Sequence, residues 1–169
     1  MQKTMLALWV LLQAATAQAA AIDIGGSIQQ LKFSDFSEVK EKYANTEAVV
    51  AYETTLDVAG DVGANVIFEV GGEVTTRWFA GNLVMNMTVT CLSPRLSLPL
   101  LIGTDTDTGI RFEHQSYKVR PEISVEKNTG GDCQQLHIRL DKVGTLSRKF
   151  YTVVTDLQFR VHLLERHPG

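Results

Sequence analysis

The chain is short of cysteine and proline and of any surplus of one charge, and each shortage removes a class of protein. Its 169 residues hold two cysteines, Cys91 and Cys133, too far apart to form a Cys-x-x-Cys redox pair. No Cys/His cluster at zinc-ligand spacing is present. Sixteen Lys and Arg stand against 19 Asp and Glu, scattered along the chain. Nucleic acid needs a basic stripe to meet its phosphates, so it is excluded as a partner. No Gly-x-Ser-x-Gly elbow occurs, and nothing singles out a Ser/His/Asp set or a carboxylate pair for catalysis. Aromatics make up 8%, too few for the girdles of a lipid-facing barrel. There is no internal repeat.

Only residues 4–16 form a long uncharged apolar run. Lys3 precedes it and Ala17-Gln18-Ala19 follows, the small residues a signal peptidase reads. Residues 1–19 are therefore expected to be a cleavable leader, with Ala21 as the latest cut. Residues 20–169 then form a single domain. Removing Lys3 leaves 15 basic against 19 acidic residues, a net charge of −4. No later stretch stays apolar for 18 residues, so no helical span follows the leader. The expected location is secreted or periplasmic, and the Ala-rich cleavage region has a bacterial character. In an exported chain an even cysteine count reads as a disulfide, here Cys91 to Cys133.

The dominant signal in the remainder has period two. In "YTVVTDLQFRVHL", Tyr151, Val153, Thr155, Leu157, Phe159, Val161 and Leu163 alternate with mostly polar neighbours, as in a long half-buried strand. Val50, Tyr52, Leu56 and Val58 alternate likewise, as do Met85, Met87, Val89 and Cys91. Val66, Phe68 and Val70 precede Gly71-Gly72, and Val74, Thr76 and Trp78 follow. Two glycines between alternating runs predict a hairpin turn there. Pro94 and Pro99 mark a crossing loop or an edge. In "GIRFEHQSYKVR" the two halves are out of phase, which predicts a bulge near 114–116. The helical spacing of Phe36, Val39 and Tyr43, with Glu38 and Lys42 four apart, predicts one short helix near 35–44. The fold expected is all-β, an antiparallel β-sandwich of eight or nine strands, with a closed β-barrel as the alternative.

The segment "TDTDTG" at 104–109 raises the question of calcium. As an EF-hand loop it fails, because Gly109 stands at position 5 and Ser116 at position 12. Another oxygen-rich calcium site would draw on Asp105, Asp107 and Glu113. The simpler reading is a turn, capped by its Asp and Thr side chains. Of the four histidines, His137 and His162 fall on the polar faces of strands, where they would be cross-strand neighbours. Asn86-Met87-Thr88 matches the N-glycosylation pattern on a polar face. Trp78 reads as core.

These observations point to an exported, non-catalytic structural or protein-binding domain with no cofactor. Its partners would be other exported proteins or further copies of itself. The long terminal strand supplies the expected interaction edge, at Tyr151, Val153, Leu157, Phe159 and Val161. The alternatives are a carrier holding a small apolar ligand inside a barrel and a calcium-assisted binding module using the 104–109 loop.

Overall fold

The computed structural model describes residues 21–59, 65–77, 84–113 and 116–166. The leader, Trp78, His114 and His167 lie outside the described residues. Two sheets face one another and enclose the core. The first runs β1(Ala21–Asp23), β4(Thr46–Ala59), β11(Gln135–Val143), β6(Val84–Leu92), β7(Leu100–Thr108), and β3(Ser37–Tyr43) also pairs with β4. The second runs β2(Gln29–Lys32), β12(Val153–Glu165), β5(Asn65–Arg77), β9(Ser116–Val119), β8(Ile110–Glu113), and β10(Glu122–Asn128) also pairs with β5. All pairings are antiparallel except β1 with β4. Among the described residues the two sheets do not close into a barrel, so the architecture is the sandwich and not the barrel alternative.

The alternating runs become strands because one parity of each is apolar and turns inward. Phe68, Val70 and Val74 of β5, Met85, Met87 and Val89 of β6, and Leu136, Ile138 and Leu140 of β11 are all buried. The disulfide Cys91–Cys133 ties β6 to the loop before β11, with Cα atoms 5.2 Å apart. Closing a loop across 42 residues corresponds to about 4 kcal/mol in the chain-entropy treatment.

Four local expectations are corrected. Residues 35–44 are not a helix: a 3-10 turn at Phe33–Asp35 leads into strand β3. Glu38 pairs with Lys40 on one face of that strand at 3.4 Å, not with Lys42 around a helix turn. The reason is tertiary, since β3 covers the otherwise open side of β4 and returns through a turn with Ala44 at φ 51. A short helix does occur, but at α1(Leu146–Tyr151). Gly71-Gly72 is not a hairpin: β5 runs straight through it, and Val70 and Val74 both stay inside. Residues 110–119 are not one bulged strand but the hairpin β8–β9, and a chain reversal explains the change of phase. Short pieces of this kind raise the strand count to twelve among the described residues.

The terminal strand departs from its expected role. β12 is bonded on both sides over Gln158–Val161, to β2 and to β5. Leu157, Phe159 and Val161 are buried in the core, so they form no exposed edge. A register shift between Val154 and Asp156 reverses the parity, turning Val154 inward and Val153 out. Only Tyr151 and Val153 of the five expected edge residues are exposed.

Candidate binding groove on the second sheet

The inward parity of β5 and β12 leaves their other residues on the outer face of the second sheet. Gln30, Arg160, Gly71 and Glu122 are register partners in one row across β2, β12, β5 and β10. Gly71 leaves a gap in that row where any other residue would raise a side chain. Arg160 spans the gap, its Nη2 donating to Glu122 Oε1 at 3.2 Å. A groove of about 420 Å³ lies here, floored by Gly71 and Gly72. A second hollow of about 260 Å³ shares Gly71, Glu122 and Arg160 with it and extends toward Ile28 and His162.

The walls are polar and paired. Glu73 receives Lys118 Nζ at 2.6 Å and Arg120 Nε at 2.9 Å. Hydrogen bonding from Lys118, with Arg120 adding to it, outweighs partial desolvation and holds the Glu73 carboxyl below its ordinary range. Glu73 is thus an ionised acceptor and a poor proton donor at neutral pH. On the far side His162 Nδ1 lies 3.1 Å from Glu69 Oε2. Three acidic side chains (Glu69, Glu73, Glu122) and three basic ones (Lys118, Arg120, Arg160) balance across the surface, with the amides of Gln30 and Gln158 between them.

Asp105 and Asp107 lie on β7, a strand and not a turn, and both carboxylates are engaged. Asp105 Oδ2 accepts from the main-chain N–H of Glu122 at 2.8 Å, and Asp107 Oδ2 from that of Arg120 at 2.6 Å. They bind the edge of the first sheet to the second on either side of Pro121. The side chain of Glu113 lies outside the described residues. Among the described residues no group of three or more His, Cys, Asp and Glu side chains converges to hold a metal ion. His137 and His162 are not neighbours: they occupy different sheets, and His137 Nε2 lies 3.4 Å from Glu53. Asn86 sits on the outer face of the first sheet, its Oδ1 accepting from Thr106 Oγ1 at 2.8 Å.

No family model matches the sequence, and no curated protein matches it. Among solved structures the chain is similar to the crystal structure of a carbohydrate-binding module specific for non-crystalline cellulose (CBM28). The TM-score is 0.40 at 11% identity, covering 76% of this chain and 80% of that one. At this level the likeness bears on neither site nor ligand.

The groove escaped the sequence reading because Gly71-Gly72 looked like a turn. One signal was available. Val66, Phe68, Val70, Val74 and Thr76 keep the same parity through the glycines, whereas a two-residue hairpin would have placed Val74 opposite Glu69, on the polar face.

Proposed function

We propose that this chain is a non-catalytic binding domain of a secreted or periplasmic bacterial protein, holding an uncharged, polyhydroxylated chain such as an oligosaccharide along the groove over Gly71. One observation carries the reading: a gap in the outer sheet face over Gly71, walled by donors and acceptors in close pairs of opposite charge. A hydroxyl both donates and accepts, so vicinal hydroxyls can engage a guanidinium and its carboxylate together. A strongly charged ligand gains no net attraction from three positive and three negative groups. The disulfide fits maturation in an oxidising compartment.

The test is calorimetric titration of the disulfide-intact protein with a panel of neutral oligosaccharides, repeated with Arg160→Met and Gly71→Val. The expected result is measurable binding to at least one oligosaccharide, weakened about tenfold or more in both variants, the scale of losing a charged hydrogen bond. Binding to none of the panel, or undiminished binding in both variants, contradicts the proposal. A protein captured by the wild type and lost with the same substitutions would keep the groove as the site and replace its ligand.

A further inference from the structure

The end of the sandwich that carries α1 differs in chemistry from the groove. Val143, Phe150, Tyr151 and Val153 are all exposed there, and Tyr151 and Val153 each keep 54% of their surface. The rings of Phe150 and Tyr151 meet edge to face with centroids 5.3 Å apart. Arg148 and Lys149 stand in the last turn of α1, and Arg77 is the register partner of Val153. No acidic residue occurs from 142 to 155. The carboxylates that flank this stretch in sequence face other partners: Asp141 accepts from Arg139, and Asp156 accepts from the Leu157 N–H and from Gln158. Glu38 of β3, whose charge reaches the buried Lys142, is paired with Lys40.

The helix is also held firmly. Lys142 is buried beneath it, and its Nζ donates to the carbonyls of Val49 at 2.8 Å, Lys149 at 3.3 Å and Thr152 at 2.7 Å. Three carbonyls from β4, from α1 and from the residue after it thus share one ammonium group. Six residues alone make a marginal helix, so this clamp fixes the aromatic pair in place.

We propose that this end is a peripheral contact site for an anionic lipid surface, with Phe150, Tyr151, Val143 and Val153 entering the headgroup boundary and Arg77, Arg148 and Lys149 meeting lipid phosphates. Exposed apolar and aromatic side chains beside basic ones complement such a surface in both of its properties. Carried on a short helix and on the ends of the strands beside it, they suit a broad surface better than an enclosing pocket. The contact is independent of the groove and places the ligand-binding face to one side of the membrane.

The experiment is co-sedimentation of the disulfide-intact protein with two vesicle preparations, phosphatidylcholine alone and phosphatidylcholine with phosphatidylglycerol. The protein is expected to bind the anionic vesicles and not the neutral ones. Binding should fall about fivefold for each basic residue removed in Arg148→Gln and Lys149→Gln, and should be lost in Phe150→Ser/Tyr151→Ser. These side chains are exposed, so the variants are expected to fold, and circular dichroism with an unchanged melting temperature verifies it. Equal sedimentation with both vesicle types, or binding that survives the double aromatic substitution in a folded variant, overturns the proposal. So does a failure to bind anionic vesicles at low salt, which would leave the end to a protein partner.

Discussion

The ring of Phe159 occupies the space a side chain on Gly72 would need. A Cβ built at Gly72 would lie 2.6 Å from Phe159 Cδ2 and 2.2 Å from the carbonyl oxygen of Gln158. The second contact is with backbone, which cannot swing away, so the glycine is required for β5 and β12 to approach each other as they do. Gly71 differs in degree: a Cβ there would lie 3.1 Å from Glu122 Cγ and 3.3 Å from its Cα, contacts relieved by shifts of a few tenths of an ångström. Gly72→Ala is expected to cost about 3 kcal/mol or more of unfolding free energy, in the upper range for strain in a packed core, and Gly71→Ala less than about 1 kcal/mol. Urea denaturation of the two variants checks this, and equal losses would refute the distinction.

Asp105 and Asp107 join the edge of the first sheet to the second, each through one main-chain N–H. Removing either carboxylate hands an exposed main-chain N–H beside Pro121 to water. Asp105→Ala and Asp107→Ala are each expected to cost about 1 kcal/mol, the net worth of one hydrogen bond. The loss should be the same in calcium and in chelator, measured as thermal shifts. Stabilisation by calcium that Asp107→Ala abolishes would instead support a metal site there.

Stability at alkaline pH should rise and then fall. Burial pushes the Lys142 amine down to about 8 from 10.5, with the charge of Glu38 opposing the shift. Burial first, then Glu38, pushes the Tyr52 phenol up to about 12 from 10.0. Between pH 8 and 10 the unfolded chain keeps a lysine proton that the native chain has released, so stability increases with pH. Above pH 10 the unfolded chain loses a tyrosine proton that the native chain retains, so stability decreases. Melting temperatures measured against pH should peak near 10. Lys142→Met should flatten the rising limb and Tyr52→Phe the falling one.

Thr76 faces the core from β5, and its Oγ1 finds no hydrogen-bond partner among the described residues. Thr76→Val keeps the shape and removes the stranded hydroxyl. It is expected to stabilise the fold by about 1 kcal/mol, read as a higher urea midpoint with unchanged slope.

How far the sequence reports the fold depends on the range of the interaction that decides it. Faces are local: Met85, Met87, Val89 and Cys91 are buried as their alternation predicted. Pairing is not local. Nothing near Ser37–Tyr43 says that this segment must cover β4, so its helical spacing misleads. Nothing near Leu157–Val161 says that β2 will bond to its other side, so an interior strand reads as an edge. The bulge beside Asp156 is another case, since it reverses which parity is buried within one uninterrupted run. The groove is the extreme case. Its six charged groups come from β5, β9, β10, β12 and, for Arg120, the two-residue link between β9 and β10, and only the register of those strands brings them around Gly71.

The most direct measurement is two-dimensional amide NMR of the labelled protein during titration with the tightest-binding neutral oligosaccharide of the panel. The account predicts shifts concentrated at Glu69–Glu73, Arg120, Glu122–Ser124 and Gln158–His162, with the first sheet unmoved. Shifts confined to the first sheet or to α1, or none at saturating ligand, would contradict the placement of the binding site on the outer face of the second sheet.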